Sequence, residues 1–422
     1  MQLPRSAVVV GGNRTPFAKA GGAYASASSL DLLTAALDGL VARFGLAGRQ
    51  LDEVAAGAVL KHTRDFNLTR EAVLSSALAP TTPAVDLQQA CGTGLEAVVY
   101  SANKIALGQA DVGIGGGVDS ASDAPIAVSE GLRRALLAAN RAKTLPQRLQ
   151  ALAGIRPGHL APVAPQVVEP RTGLSMGEHQ ARTTAAWAIT RKAQDELAAA
   201  SHHHRARAWD AGFFDDLATP YLGLTRDNVL RPDTSVDRLA ALKPVFGDTM
   251  TAGNSTALTD GAAVVLLAEQ EWAQANGFPV LARVVDAQVA AVDHASGDDL
   301  LLAPAHAVAR LLARQGMALA DFELYELHEA FASTVLATLA AWESPEFCRD
   351  RLGLDTPLGA IDRTRLNVNG SSLAAGHPFA ATGGRIVATL AKLLHDRGTG
   401  ARGLVSVCAA GGQGVVAILE AV

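Results

Sequence analysis

Residues Pro83 to Tyr100, PAVDLQQACGTGLEAVVY, join an apolar extended run, a corner flanked by glycines and a run of helix-forming residues. This pattern predicts a strand, a tight turn and a helix, with Cys91 at the helix N-terminus. Unpaired backbone N–H groups and the helix dipole favour a thiolate there, so we expect the pKa of Cys91 to lie below its usual value of about 8.5. Gly92 and Gly94 allow another molecule to approach the sulfur closely. The alternative is a buried structural cysteine.

Two distant glycine-rich segments each present one more reactive side chain. Residues 367–384, NVNGSSLAAGHPFAATGG, contain His377, and residues 407–415, VCAAGGQGV, contain Cys408. A thiol, an imidazole and a second thiol can serve as nucleophile, base and proton shuttle in covalent acyl transfer. We therefore expect Cys91, His377 and Cys408 to meet around one carbonyl group. The alternative for Cys408 is a packed thiol among the neighbouring valines.

The composition predicts a soluble globular protein with a large core. Of the 422 residues, 49% are apolar, and the formal net charge is −5 without long acidic or basic blocks. That charge and the 5% aromatic content argue against nucleic acid as a partner. Three cysteines are too few for a disulfide scaffold, which indicates a reducing compartment. No signal peptide, transit peptide or membrane span is recognisable, so we expect a cytoplasmic location.

The order of elements predicts a duplicated α/β plan. A helix, a glycine, Leu-x-Asp and a strand occur before residue 60 and again between residues 303 and 331. This repetition predicts two halves of one βαβ-type plan, each a sheet covered by helices. We expect residues 1–119, completed by 252–276, to form the first half and residues 277–422 the second. Residues 120–251, rich in prolines, are predicted to be an inserted helical loop domain.

Local signals give boundaries for the first elements. A strand is predicted to end at Gly11, because glycines follow Val8 to Val10. The next helix is predicted to begin near Ser29, capped by Ser28 or Ser29, and to end at Gly45. His328 is predicted to lie at the start of an apolar helix. The alternative to a functional role is a core histidine whose hydrogen bonds are all made within the protein.

Residues 131–160 carry several arginines and a lysine, interleaved with leucines, and no acidic residue. One interpretation is a solvated helical face, and the other is contact with coenzyme phosphates, a partner subunit or a membrane surface. His202, His203 and His204 would point to different faces of a helix, so we predict a solvated helix and no metal site. Cys348 is interpreted as structural or incidental.

Seven short blocks in the chain together resemble the signature blocks of the thiolase family. The resemblance covers essentially the whole chain and is far more specific than any one glycine motif. The blocks are QACGTGLE at 89–96, GGGVDS at 115–120, GNST at 253–256, DGA at 260–262, HEAF at 328–331, NVNGSSLAAGHP at 367–378 and CAAGGQG at 408–414.

Within that family the chain most resembles the 3-ketoacyl-CoA thiolase (beta) subunits of fatty-acid oxidation multienzyme complexes. His328 stands where biosynthetic thiolases carry asparagine, and Ala409 and Ala410 precede the last glycines. The resemblance implies a thiolase fold of two βαβαβαββ halves in a five-layer αβαβα arrangement. It also implies at least a homodimer or a dimer of dimers, with a hydratase/dehydrogenase subunit as a further partner. Coenzyme A is a substrate, and no cofactor is bound permanently.

The resemblance also implies a role for each site residue. Cys91 is the nucleophile in a ping-pong β-oxidation cleavage, with His377, Cys408 and His328 as the other catalytic side chains. The backbone N–H groups of Cys91 and Ala410 bind one oxyanion, while His377 and a water held by His328 bind the thioester oxygen. The substrate and coenzyme A are expected to contact Ser175, Met176, Thr256 and Phe331.

Two other functions remain open alternatives at this point. A biosynthetic acetoacetyl-CoA thiolase would use the same residues in the direction of condensation. A ketosynthase-type condensing enzyme would pair its cysteine with two histidines, or with a histidine and an asparagine, and the thiol at Cys408 argues against it.

Overall fold

The computed structural model describes residues 5–163, 165 and 168–422. The strands are β1 (Ala7–Arg14), β2 (Ala18–Lys19), β3 (Glu53–Ala56), β4 (Ala84–Asp86), β5 (Val112–Ser120), β6 (Pro244–Phe246), β7 (Met250–Thr251), β8 (Thr259–Glu269), β9 (Ala282–Ala291), β10 (Leu324–Leu327), β11 (Arg402–Ala409) and β12 (Gln413–Ala421). The helices are α1 (Ser29–Phe44), α2 (Leu68–Ser75), α3 (Thr93–Ala106), α4 (Glu130–Arg141), α5 (Leu145–Ala153), α6 (Met176–Ala186), α7 (Arg191–Asp210), α8 (Val236–Ala240), α9 (Gln270–Ala275), α10 (Ala303–Gln315), α11 (Ala332–Glu343), α12 (Pro345–Leu352), α13 (Ser372–Ala375) and α14 (Ala381–Arg397).

The two halves of the chain repeat one strand order. In the first half the hydrogen-bonded order is β1, β8, β5, β3, β4, and in the second half it is β9, β12, β11, β10. The last two strands along the chain pair antiparallel in each half, while β3 with β5 and β10 with β11 pair parallel. A fifth strand in the second half is reduced to one parallel bridge, Tyr325 with Leu366. The predicted duplicated plan is confirmed.

Helices α3 and α14 lie between the two halves of the sheet. α14 contacts β1, β5 and β8 on one side and β11 and β12 on the other, and it packs against α3. A first apolar core surrounds these two helices, a second lies under α1 and α2, and a third lies under α10 and α11. The layers therefore alternate helix, sheet, helix, sheet, helix, as predicted.

Glycines allow α3 and α14 to approach each other at backbone distance. A Cβ atom on Gly94 would lie 2.2 Å from the carbonyl oxygen of Ala380, and one on Gly383 would lie 2.1 Å from the amide nitrogen of Leu95. Both distances are well below van der Waals contact with backbone atoms that cannot rotate away. This close approach places the turn before α3 beside the segment before α14.

The chain between β5 and β8 forms helices α4 to α8 and the two-stranded β6–β7 pair. A buried ion cluster joins this segment to β1. Asp227 accepts two hydrogen bonds from Arg14 at the end of β1 (2.6 and 3.0 Å) and two from Arg205 on α7 (3.1 and 2.9 Å). All three side chains are buried.

Helix α1 has the predicted boundaries, whereas the strand before it does not. Ser28 accepts a hydrogen bond from the Asp31 N–H, and Gly45 adopts a left-handed conformation, φ 63°. The prediction that the first strand ends at Gly11 was wrong, because β1 continues to Arg14. Gly11 leaves room inside the strand for the ring of Phe44, which would lie 2.5 Å from a Cβ atom there. Among the described residues, no helix is long and apolar enough to cross a membrane.

Candidate active site

Cys91 lies in a strained turn between β4 and α3. Ala90 has φ 48°, in the left-handed region that costs a non-glycine residue about 1–2 kcal/mol. The Thr93 hydroxyl holds this turn, since Oγ1 accepts a hydrogen bond from Gln89 N (2.8 Å) and donates one to Ala90 O (2.7 Å). Cys91 remains partly exposed. The turn therefore presents a thiol at the surface of the core.

His377 contacts the Cys91 thiol directly. His377 Nε2 lies 3.1 Å from Cys91 Sγ, and His377 Nδ1 lies 2.6 Å from Thr382 Oγ1. When Nδ1–H donates to Thr382, the Nε2 lone pair faces the thiol and can accept its proton. The two residues are 286 positions apart in the chain. The close packing of α3 and α14 brings them together.

Burial keeps both members of this pair neutral. It raises the pKa of the Cys91 thiol to about 12, although the backbone N–H groups of Ala410 and Cys91 oppose that rise. Burial, together with the positive charge of Arg385, lowers the pKa of His377 to about 3. The predicted lowering of the Cys91 pKa was therefore wrong. Although Cys91 is partly exposed, the packing around its sulfur outweighs the two backbone N–H groups that favour the thiolate.

The turn between β11 and β12 supplies the second backbone donor at this sulfur. The Ala410 N–H lies close enough to the Cys91 sulfur to oppose the rise of its pKa, and Ala410 does not have a positive φ. Gly411 (φ 78°) and Gly412 (φ 68°) carry the left-handed conformations instead. An alanine at 410 therefore keeps its N–H in place. The Glu169 carboxylate fixes the turn by accepting the Gly411 N–H at 2.6 Å.

Cys408, at the end of β11, is buried and packs in an apolar cluster. Burial, and then the nearby Cys91, raise the pKa of the Cys408 thiol far above its usual range. This thiol therefore stays protonated until a strong base approaches it. Its cluster includes Met250, Leu300, Leu301, Phe331 and Met176.

His328 follows β10 directly, and α11 begins only at Ala332, so the prediction of a helix start was wrong. The His328 ring is buried, and its centroid lies 4.1 Å from that of His377. Its Nδ1 atom lies 2.6 Å from Ser372 Oγ. A small cavity borders both His328 and Cys408. The structure thus brings all four predicted catalytic side chains into one region.

The predicted substrate-binding residues lie on the rim of this region. Ser175 caps α6, and the next residue, Met176, reaches the apolar cluster of Cys408 together with Phe331. Thr256 donates its hydroxyl to the carbonyl oxygen of Ala330 at 3.0 Å. These residues come from α6, the loop before β8 and the loop before α11.

His202 is buried and its neighbours His203 and His204 are partly buried, so the prediction of a solvated helix was wrong. His202 is 6% exposed and accepts the Arg231 N–H at 3.1 Å, and burial lowers its pKa to about 4. His203 contacts the Thr234 carbonyl oxygen, while His204 contacts the Asn367 carbonyl oxygen. Cys348 is fully buried. Within the described ranges, no group of three or more His, Cys, Asp or Glu side chains could hold a metal ion.

Two family models match nearly the whole chain. The model of the thiolase N-terminal domain matches residues 7–271, and that of the thiolase C-terminal domain matches residues 278–421. The chain belongs to the thiolase family. A 3-ketoacyl-CoA thiolase of Pectobacterium atrosepticum is 41% identical over 420 residues, covering 97% of this chain and 95% of the relative. One of Yersinia pestis is 40% identical over 422 residues, covering 98% and 96%.

Solved thiolase structures share the fold over their full length. The Bacillus anthracis acetyl-CoA acetyltransferase superposes with a TM-score of 0.82 at 30% identity. The human mitochondrial 3-ketoacyl-CoA thiolase gives the same TM-score at 28% identity. In both cases the match covers 100% of this chain and 100% of the other.

Sequence reasoning missed several residues that support this thiolase site. Asp119 is buried and accepts the N–H groups of Val59, Leu60 and Ala380, and its burial raises its pKa to about 7. It thereby holds the segment between His377 and α14. Asp119 lies within the GGGVDS block, which was the one available signal. Ser372 lies within the block at 367–378, but neither its contact with His328 nor that of Thr382 with His377 could be inferred from the sequence.

Proposed function

We propose that this thiolase cleaves a 3-ketoacyl-CoA with coenzyme A, giving acetyl-CoA and a shortened acyl-CoA. The observation that carries the proposal is the convergence on the Cys91 sulfur of His377 Nε2, at 3.1 Å, and the Ala410 N–H. Cys91 lies near enough to Cys408 to raise the pKa of the Cys408 thiol further. The relatives named 3-ketoacyl-CoA thiolase support this substrate.

In the first half-reaction, Cys91 transfers its proton to His377 Nε2 and attacks the ketone carbon of the substrate. The negative charge that develops on the ketone oxygen is bound by the N–H groups of Cys91 and Ala410. The bond between C2 and C3 then breaks, and its electron pair forms the enolate of acetyl-CoA. Cys408 protonates C2 of this enolate. Acetyl-CoA leaves, and the acyl group remains on Cys91 as a thioester.

In the second half-reaction, the Cys408 thiolate removes the proton of incoming coenzyme A. The coenzyme A sulfur attacks the acyl thioester, and the same two N–H groups bind the tetrahedral oxyanion. The bond to Cys91 breaks, and His377 returns the proton to the Cys91 sulfur. Both thiols and the imidazole thus regain their starting states. The high pKa of Cys408 suits this role, because a buried thiolate is a strong base.

The experiment compares Cys91→Ala with Cys348→Ala in a thiolysis assay on a 3-ketoacyl-CoA. Cys91→Ala should lose at least about 10⁴-fold in kcat, because no other described thiol lies in the strained turn. Cys348→Ala removes a buried thiol outside the site and should retain turnover. Without coenzyme A, mass spectrometry should find the acyl group on the peptide that contains Cys91. Turnover by Cys91→Ala at the wild-type rate would rule out the mechanism.

Substrate contacts are assigned to the rim of the site. The pantetheine arm of coenzyme A passes Ser175 and Thr256, and the acyl chain contacts Met176 and Phe331. Both apolar side chains share one cluster with Cys408, which supports this placement. Replacing Phe331 by alanine should raise KM for long acyl chains more than for acetoacetyl-CoA.

The enzyme is assigned to the cytoplasm, where it forms a homodimer or a dimer of dimers and binds a hydratase/dehydrogenase subunit. The edge strand β4 supports self-association, since its residues are only partly buried and one side of the strand has no neighbour in the sheet among the described residues. Light scattering after size exclusion should give at least twice the chain mass of 43.5 kDa. A monomer at micromolar concentration contradicts this assignment.

Residues 131–160 are proposed to contact an anionic membrane surface. Helices α4 and α5 bury no residue, and Leu145 (69%), Leu149 (59%) and Leu160 (64%) are exposed beside arginines and lysine. Exposed leucines and basic residues within one segment suit a negatively charged interface. A variant with Lys143→Glu and Arg148→Glu should lose flotation with phosphatidylglycerol vesicles. Unchanged flotation contradicts the proposal.

A further inference from the structure

The two nitrogen atoms of His328 have different environments. Nδ1 lies 2.6 Å from Ser372 Oγ. Nε2 is buried and has no hydrogen-bond partner among the described residues. A neutral imidazole carries its proton on one nitrogen only, and the partner of one nitrogen decides the role of the other. The protonation state of Nε2 therefore depends on whether Ser372 donates or accepts.

Arg385 makes Ser372 the donor. Its Nη2 atom lies 2.9 Å from Ser372 Oγ, and a guanidinium can only donate. The Ser372 oxygen thus accepts from Arg385, and its own proton is free to point at His328 Nδ1. No other acceptor for that proton is found among the described residues. Ser372 and Arg385 are both buried, so water does not compete for these contacts.

His328 also borders a small cavity with a mixed polar and apolar lining. The cavity is lined by His328 and Cys408, together with Thr334, Ser406, Pro304, Leu327, Val335 and Thr338. Thr334 Oγ1 is also buried without a partner among the described residues. Two polar atoms that lack protein partners make this cavity suitable for a water molecule, which needs two to four such contacts.

We propose that Ser372 and Arg385 are positioning residues that hold His328 as the tautomer with the proton on Nε2. The ring then donates into the cavity that it shares with Cys408. Burial, and then the neighbouring His377 ring and the positive charge of Arg385, lower the pKa of His328 well below its usual value. The ring is therefore neutral, and only its tautomer decides what it offers to the substrate.

This inference deepens the proposed function and rests on it. During cleavage, negative charge develops on the thioester oxygen of the departing enolate. An Nε2–H group can stabilise that charge, directly or through a water molecule, whereas an Nε2 lone pair would repel it. Ser372 and Arg385 do not touch the substrate in this scheme. They act by fixing which nitrogen of His328 carries the proton.

A double-mutant cycle between Ser372→Ala and His328→Asn tests the inference. Asparagine offers an N–H donor and has no tautomers, so it does not depend on Ser372. In the wild-type background, Ser372→Ala should lower kcat about 10- to 100-fold with little change in KM, as for loss of an oxyanion donor. In the His328→Asn background it should change kcat less than about twofold. An equal loss in both backgrounds overturns the inference.

Ser371→Ala provides the matched control. Ser371 Oγ accepts from the same Arg385 nitrogen at 3.3 Å but does not contact His328 among the described hydrogen bonds. This variant should keep the wild-type kcat. A loss as large as that of Ser372→Ala would assign the effect to the packing around Arg385 and overturn the inference.

The tautomer can also be measured without any assay. In protein labelled with ¹⁵N-histidine, the signals that His328→Asn removes should show a protonated Nε2 and an unprotonated Nδ1. The opposite pattern overturns the inference, whatever the enzyme's activity. Failure of the proposed function gives a different result, because wild-type protein would then leave 3-ketoacyl-CoA uncleaved while this tautomer persisted.

Discussion

The Cys91 and His377 side chains meet as neutral groups, and this determines how the reaction can begin. Burial disfavours both the thiolate and the imidazolium, so the neutral pair is favoured before substrate binds. The proton moves only when the sulfur attacks, and the charge then passes to an oxygen that faces two N–H donors. A stable ion pair would instead attract water and would react with other thiol-reactive molecules before the substrate binds.

Alkylation of Cys91 should follow the small thiolate fraction of a thiol with a raised pKa. We expect the rate of reaction with iodoacetamide to keep rising with pH between 7 and 9, by up to about tenfold per unit. The rate rises with pH because the pKa of Cys91 is about 12, so each increase in pH below that value increases the fraction of thiolate. A rate that is already constant below pH 7 would indicate a preformed ion pair. Cys91→Ala gives the background from Cys348 and Cys408.

Glu326 on β10 should make stability depend on pH. Its burial raises its pKa to about 8, and both carboxylate oxygens lack hydrogen-bond partners among the described residues. The folded chain keeps this proton up to about pH 8, whereas the unfolded chain releases it near pH 4.5. Folding therefore binds a proton in this window, and stability falls as the pH rises by about 1.4 kcal/mol per unit.

Glu326→Gln removes this titration while keeping the shape of the side chain. Relative to wild type, its free energy of unfolding in urea should therefore increase steadily from pH 5 to pH 8. Glu343→Gln, at an exposed position on α11, is the control and should show no such trend. A difference that does not depend on pH for Glu326→Gln would mean that the carboxylate is already ionised in the folded protein.

The site geometry depends on how closely helices α3 and α14 pack. The turn with Cys91 precedes α3, and His377 lies just before α14, so the distance between these helices sets the distance between sulfur and imidazole. Gly94 and Gly383 remove the side chains that would keep the helices apart. The glycines near Cys91 were first interpreted as space for a ligand, and Gly94 proves to be needed for packing.

Gly94→Ala should both destabilise the protein and reduce its activity. The new methyl group would lie 2.2 Å from the Ala380 carbonyl oxygen, and relieving such overlap costs about 1–3 kcal/mol. Urea unfolding and the rate of thiolysis measure the two effects. Gly158→Ala is the control, because no atom lies within 4 Å of a Cβ atom there. Equal stability of the two variants would contradict this view of the packing.

Local signals predicted those elements whose ends are determined by neighbouring residues. Ser28 and Gly45 cap the two ends of α1, and both caps could be predicted from the sequence. The continuation of β1 through Gly11 could not be predicted, because the Phe44 ring that packs over this glycine belongs to another element. The buried surroundings of His202 and His328 were likewise set by distant partners. In the site, the reactive side chains could be identified from the blocks, whereas the contacts of the residues that orient them could not.

A buried ion cluster ties the segment between β5 and β8 to the first strand of the sheet. Burial alone would raise the pKa of Asp227, but Arg14 and Arg205 reverse this effect and leave it far below its usual range. The Phe17 N–H also donates to Asp227 at 2.9 Å. Asp227 is 213 positions from Arg14, so no local pattern pointed to it.

Asp227→Asn should be among the most destabilising single substitutions in the molecule. It leaves two buried guanidinium groups without a counter-charge, which costs about 3–5 kcal/mol. Urea unfolding followed by circular dichroism measures the loss. Asp210→Asn breaks an exposed pair with Arg226 and should leave the midpoint nearly unchanged. A loss below about 1 kcal/mol for Asp227→Asn would mean that water reaches the cluster.

The position of β8 between β1 and β5 has a consequence for synthesis on the ribosome. Strands β1, β3, β4 and β5 emerge first, yet β1 and β5 have no hydrogen-bonded connection until residues 259–269 follow. During that delay the apolar edges of two nascent strands stay unpaired and open to other chains. We therefore expect the half-made polypeptide, rather than the finished enzyme, to be the form that needs protection by chaperones.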